Sequence, residues 1–349
     1  MHTLPSFFRR RSSRIALAAG LLLLAGPATA QAKFNPAQPI LIRPFGDSIT
    51  FGYGFATLYP CPAYPPPPAQ PGQAPTPITP QQLEALQETQ LACRPPIILS
   101  GGYRYWLTAM ALMSGQAQFM TEGYQNGGSG LYQWVTGTQA HDGYPGFRTD
   151  QLLPVSGYNS FADATLVHAG TNDMIQYQLG FTKTDPTFAF NSLVSIVKNL
   201  LAKNSKTQVF VAKIISTAPP NRPKGFNWPP ANYDYQTVNK NIAAYNNLIA
   251  TNLISQLPTA AQSRVTIVDM TGKLDPNTDY IFDGIHPNSL GYVKIACNWS
   301  RAIYSAPMPC PGDSAAQIEK ILGFPPGGPL PPMHLPLPEE LDRVLPGWR

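Results

Sequence analysis

Pro39-Ile40-Leu41-Ile42-Arg43-Pro44-Phe45-Gly46-Asp47-Ser48-Ile49-Thr50 decides the fold. The short apolar run 40–42, bounded by proline and glycine, predicts a buried strand rather than a helix. Ser48 then follows the strand's carboxyl end, which is the edge where ligands bind in open α/β sheets.

Further along, residues 103–113 have helical spacing of apolar side chains and 116–120 could form the next strand. Residues 164–168, 209–215 and 265–268 are apolar enough for strands, and 188–202, 238–257 and 289–304 for helices. Short apolar strands alternating with helices predict a parallel, doubly wound sheet. Three more segments follow Ser48 in order: Pro145-Gly146-Phe147, Gly170-Thr171-Asn172-Asp173 and Asp283-Gly284-Ile285-His286-Pro287-Asn288. The last two follow predicted strands, so the polar residues track one sheet edge.

The chemistry of these segments is consistent. A serine hydroxyl needs a base within hydrogen-bond reach, and the base needs an orienting group. Ser48, His286 and Asp283 fill those roles, and of the five histidines only His286 has a carboxylate three residues before it. A tetrahedral intermediate needs preorganised N–H donors, for which the candidates are the amides of Ser48 and Gly146 and the carboxamide of Asn172. Gly143 is a rival to Gly146. His141 and Asp47 are candidates for substrate contact, while His168, at a strand end, reads as a satisfied, partly buried histidine.

Each segment has a bland reading. Gly-Asp-Ser recurs at 312–314, where no strand precedes it and the one later histidine, His334, has no carboxylate three residues before it, and Asn172 could simply cap a loop. The set in this order carries the argument. No His-Glu-x-x-His pair, phosphate loop or dinucleotide fingerprint is present, so neither metal nor cofactor is expected.

Arg9, Arg10, Arg11 and Arg14 precede an apolar run over 15–25 and then Ala28-Thr29-Ala30, the pattern of a secretory signal peptide over 1–30. Without it the formal charge falls from +5 to +1, because four arginines leave with no acidic residue. A nearly neutral domain offers no electrostatic footprint for nucleic acid or an anionic membrane. The expectation is an exported monomer, extracellular or periplasmic, with no stable membrane insertion.

Export makes two disulfides the expected state of Cys61, Cys93, Cys297 and Cys310. Three connectivities are possible; Cys61 with Cys93 and Cys297 with Cys310 are favoured because each closes a local proline-rich loop. One domain over 31–310 is expected, interrupted by a proline-rich insertion over 59–96 and followed by a proline-rich tail over 311–349. Residues 81–91 and 315–322 are the helix-like stretches in these two segments.

The four segments resemble the signature blocks of the SGNH, or GDSL-type, hydrolase superfamily, through Ser48, Gly146, Asn172 and His286. The resemblance implies a three-layer α/β/α flavodoxin-like sandwich with about five parallel strands, hydrolysing esters without a cofactor. Its wording is most similar to secreted carbohydrate esterases that include acetylxylan esterases, which implies an acetylated polysaccharide or oligosaccharide as substrate. The insertion after Ser48 is unusual for that branch. Two alternatives stand beside it: a lipase whose insertion forms an apolar lid, and a non-catalytic carbohydrate or cell-wall binding protein.

Overall fold

In the computed structural model, residues 34–35, 38–53, 102–114, 119–126, 140–221, 228–305 and 310 are described. The opening stretch forms β1 (Ile40–Gly46), with six of its seven residues buried. Side chains alternate across a strand, so Ile40 and Ile42 enter one core while Phe45 enters the other. Burial on both faces is what parallel sheets require, and it explains why these strands read as continuous apolar runs.

β1 is the hub of the sheet. On one side it pairs in parallel with β5 (Ala164–His168), from Ile42 opposite Ala164 to Gly46 opposite His168. On its other side β2 (Phe119–Thr121) lies along the first half and β4 (Ala140–Gly143) along the second. β6 (Gln208–Lys213) and β7 (Val265–Asp269) continue the sheet beyond β5, and β3 (Gln125–Asn126) pairs antiparallel with β4. Six described strands are therefore mutually parallel. The expected five become six because the β1 edge is completed by two short strands in tandem.

Helices cover both faces. Against one lie α2 (Gly102–Ser114) and α8 (Ser289–Ile303), which contribute Tyr103, Trp106, Leu107, Tyr292 and Trp299 to the core. Against the other lie α3 (Thr149–Ser156), α4 (Thr171–Gln178), α5 (Pro186–Lys203) and α6 (Tyr235–Asn252). The short α1 (Ser48–Phe51) and α7 (Thr259–Gln262) complete the set.

α5 shows how sequence sets these elements. Asp185 caps it by accepting from the Phe188 N–H at 2.8 Å, and Pro186 follows in the first turn, where its missing N–H costs nothing. Phe190, Leu193, Val197 and Leu200 then recur at helical spacing and are buried. Replacing Leu193, 1% exposed, with alanine would cost about 2–5 kcal/mol.

Element ends shift modestly from the expectation: β2 starts at Phe119, β6 ends at Lys213, and α6 stops at Asn252 before a single 3₁₀ turn (Ile254–Gln256). Residues 145–146 form a turn, and α3 and α4 are helices that the apolar spacing of the sequence does not predict. Cys297 and Cys310 come together with their Cα atoms 5.6 Å apart, the reach of a disulfide. Cys61, Cys93, the leader, the insertion and the tail, with both their helix-like stretches, lie outside the described residues. Among the described residues, no helix is long and apolar enough to cross a membrane.

Candidate active site

Ser48 is placed by a sharp turn at the end of β1. Gly46 sits beside His168 so closely that a Cβ there would lie 2.0 Å from the His168 carbonyl oxygen. Asp47 then caps α1, its Oδ1 accepting from the Ile49 N–H at 3.0 Å. Ser48 is the first residue of that helix, where the N–H has no intrahelical acceptor. α1 is a single turn, too short to be stable alone.

The α2 and α8 layer holds it. Arg104 donates through Nε to the Thr50 carbonyl at 3.1 Å and through Nη2 to that of Phe51 at 3.0 Å. This places a cation on the terminal carbonyls of α1, the favourable end for positive charge. Burial lowers the Arg104 pKa to about 10, so it stays charged at neutral pH. The Tyr103 hydroxyl meets Thr50 Oγ1 at 3.2 Å, and the Tyr292 hydroxyl donates to the Tyr53 carbonyl at 2.6 Å.

His286 arrives on the loop between β7 and α8. Its Nε2 lies 2.8 Å from Ser48 Oγ, and its Nδ1 2.6 Å from Asp283 Oδ2. The other Asp283 oxygen accepts from the Ile285 and His286 N–H groups at 2.8 and 2.9 Å, which fixes the carboxylate before it meets the ring. With Nδ1–H donated to a carboxylate, Nε2 is left as an acceptor for the serine proton. The loop depends on Gly284, at φ +67°, where a Cβ would fall 2.3 Å from the Ala218 carbonyl oxygen. Ser48, Asp283 and His286 are 7%, 2% and 8% exposed, enough for a reagent to reach the serine while the carboxylate stays dry.

The flanking strands supply the other two segments. Gly46 pairs with Gly143 on one side and His168 on the other, so the turns after β4 and β5 emerge either side of Ser48. They are tied together: Asn172 Nδ2 donates to the Phe147 carbonyl at 3.0 Å, and Gln176 Nε2 to that of Gly146 at 3.1 Å. Asp173 accepts from both the N–H and the hydroxyl of Thr149, at 2.9 and 2.8 Å. Gly146, at φ +80°, makes no contact that a Cβ would disturb. Gly143 loses the rivalry for donor, because its N–H is engaged by His141 Nδ1 at 3.0 Å. The Gly146 N–H has no acceptor among the described residues.

Three expectations are corrected. Asp47 is fully buried; its role is the α1 cap, and burial raises its pKa to about 6, so it does not line an open site. His141 is likewise fully buried, accepting from Gly143 and packing edge-on to Phe51, and presents no ring atom to a ligand. His168 is entirely rather than partly buried, neither ring nitrogen has a hydrogen-bond partner among the described residues, and burial lowers its pKa to about 4. Sequence reasoning missed Tyr53, whose ring lies 4.6 Å from that of His286, and Tyr144, which stacks on Phe147 at 5.2 Å. The Gly52-Tyr53 pair just after the nucleophile turn was the available signal for the first.

Among known proteins, the family model described as GDSL-like Lipase/Acylhydrolase family matches residues 116–294. That span carries Gly146, Asn172, Asp283 and His286, and Ser48 precedes it. Solved structures with similarity include a Clostridium thermocellum family 3 carbohydrate esterase (20% identity, 76% of this chain and 94% of that one, TM-score 0.46). A carbohydrate esterase family 3 protein from Talaromyces cellulolyticus is similar at 19% identity, covering 74% of this chain and 94% of that one, TM-score 0.46. No curated protein matches the chain in sequence. With the family match on the chain's own α/β sheet, the chain belongs to the GDSL-like lipase/acylhydrolase family and is a carboxylic ester hydrolase of the SGNH superfamily.

Proposed function

We propose that this hydrolase is an exported, monomeric serine esterase that removes acetyl groups from O-acetylated carbohydrate, with Ser48 as nucleophile. The observation that carries the chemistry is the unbroken relay from Asp283 Oδ2 through His286 to Ser48 Oγ, at 2.6 and 2.8 Å.

Ser48 Oγ attacks the ester carbonyl as His286 Nε2 takes its proton, and Asp283 stabilises the imidazolium that forms. The oxyanion is held by the N–H groups of Ser48 and Gly146 and by the Asn172 carboxamide. Collapse expels the alcohol, which receives the proton from His286 and leaves an acetyl-serine. Water, deprotonated by the same imidazole, then releases acetate and restores Ser48.

Two features support carbohydrate. The wording of the four segments is most similar to secreted carbohydrate esterases, and half-buried Tyr144 and Phe147 flank Gly146 without a charged side chain between them. Export rests on the 1–30 leader pattern, and the paired Cys297 and Cys310 fit an oxidising compartment.

The test is hydrolysis of 4-nitrophenyl acetate and acetate release from a panel of acetylated polysaccharides, with Ser48→Ala as the blank. Full activity in that variant would overturn the nucleophile. A strong preference for long-chain over acetyl esters would replace the carbohydrate reading with a lipolytic one.

A further inference from the structure

We infer that four aromatic side chains form a track that binds the glycan leaving group, running outward from Gly146. The inference deepens the proposed carbohydrate deacetylation and rests on it. Phe147 starts the track, its carbonyl already held by Asn172. Tyr144 stacks on Phe147 at 5.2 Å with the rings 25° apart. Tyr124 and Tyr158 continue it, their rings 4.5 Å apart, exposed at 58% and 42%. The two pairs are linked through Asp142, whose Oδ1 is shared by the Tyr144 hydroxyl and the Tyr124 N–H.

One buried carboxylate assembles the row. Asp142 Oδ1 accepts from the Tyr144 hydroxyl at 3.2 Å and from the Tyr124 main-chain N–H at 3.0 Å. Its Oδ2 is held by Arg43 Nε at 2.6 Å, with both side chains out of solvent. A buried ion pair at this position neutralises the charge beneath the track and fixes the two tyrosines relative to each other. The row is therefore aromatic, with Tyr144 and Phe147 nearly parallel at 25°, Tyr124 and Tyr158 inclined at 59° to each other, and the Tyr144 hydroxyl turned inward onto Asp142.

That chemistry fits a sugar chain. A pyranose presents an apolar C–H face, which stacks on an aromatic ring, and an edge of hydroxyls that must stay hydrated or hydrogen-bonded. An open platform provides both. A long acyl chain would bury one side and leave the other in water, which an enclosed apolar groove avoids. A row of four rings beginning at Gly146 is longer than an acyl group of two carbons can fill, so we assign it to the alcohol side of the scissile ester. The acetyl group, with two carbons, needs no such length.

The test compares the parent with Tyr124→Ala/Tyr158→Ala, both distant from the reacting atoms. Turnover of 4-nitrophenyl acetate should stay within about twofold, while kcat/KM on acetylated xylo-, cello- or manno-oligosaccharides falls about tenfold through KM, as expected for losing two stacking rings. Tyr124→Phe/Tyr158→Phe should retain most of the affinity. Unchanged kcat/KM on all three oligosaccharide types, equal loss on 4-nitrophenyl acetate, or a KM rise confined to long-chain esters would each overturn the track.

Binding separates this inference from the catalytic reading. Ser48→Ala should bind at least one unsubstituted hexasaccharide of the panel in calorimetry, and the alanine pair should abolish that binding. Binding without acetate release by the parent would overturn the deacetylase reading and leave the track standing. Acetate release with binding indifferent to the alanine pair would do the reverse.

Discussion

Asn172 Nδ2 donates to the Phe147 carbonyl at 3.0 Å, and this bond joins the two loops that flank the nucleophile. It engages one of the two amide hydrogens and fixes the plane of the carboxamide, so the second hydrogen has a defined direction. Preorganisation of this kind is what gives an oxyanion donor its value, since no reorientation is needed as charge develops. Asn172→Ala should therefore lower kcat on 4-nitrophenyl acetate by about 10²–10³ with little change in KM. A variant that keeps near-parental kcat would remove Asn172 from the oxyanion hole.

Asp283 has two tasks, and a single substitution separates them. Its Oδ1 holds the backbone of Ile285 and His286, while Oδ2 takes the imidazole. Asp283→Asn preserves the shape and one acceptor oxygen but places an NH₂ or a neutral oxygen against Nδ1, which loses the stabilisation of the imidazolium and favours the wrong tautomer. The expected loss in kcat is about 10³–10⁴, the scale seen when a triad carboxylate is neutralised, with the fold intact. Circular dichroism checks the fold and steady-state kinetics the rate. A loss of less than tenfold would mean that His286 is oriented without Asp283.

Two glycines with positive φ at the same site should respond to very different degrees. Gly146 faces open space at φ +80°, so Gly146→Ala costs only the left-handed conformation, about 1–2 kcal/mol. At Gly46 the Cβ would lie 2.0 Å from the His168 carbonyl oxygen and 2.6 Å from Thr50 Oγ1, and the first of these is backbone in the centre of the sheet. Gly46→Ala must spread β1 from β5. Soluble yield and thermal melting should show a folded Gly146→Ala with Tm lowered by a few degrees, and a Gly46→Ala that fails to accumulate as native protein.

What the sequence discloses follows from how local each signal is. β1, β5 and β7 are short apolar runs with Gly or Pro near their ends, and both of their faces are buried, so pattern and structure coincide. The Asp283–His286 pair is three residues apart and can be read from spacing, and Ser48 follows from its place after β1. α3 and α4 escape because their beginnings are site residues: Asp173 reaches 24 positions back to Thr149, and Pro154 sits inside α3 where it argues against a helix. Tyr124 meets Tyr158, and Tyr53 meets His286, only through tertiary packing. His168 misleads for a related reason: a strand-end histidine usually finds a partner, and here neither ring nitrogen has one among the described residues.

Asp173 connects the site's construction to pH. Burial raises its pKa from 3.8 to about 7 despite the two bonds from Thr149, so the native state retains a proton that the unfolded chain gives up near pH 4. Below 3.8 both states are protonated and the group is neutral towards folding. Between there and about 7 the unfolded state binds fewer protons than the native state, so stability falls as pH rises, and above 7 the penalty is complete. Asp47, raised to about 6, acts with the same sign. Asp173→Asn keeps one carbonyl acceptor for Thr149 and cannot ionise. Relative to the parent, its urea midpoint should improve steadily from about pH 4 to about pH 7, by no more than about 1.4 kcal/mol per pH unit, and then level off. Parallel stability curves for the two proteins across that window would show that Asp173 is ionised within the fold at neutral pH, held there by Thr149 and the nearby Arg148.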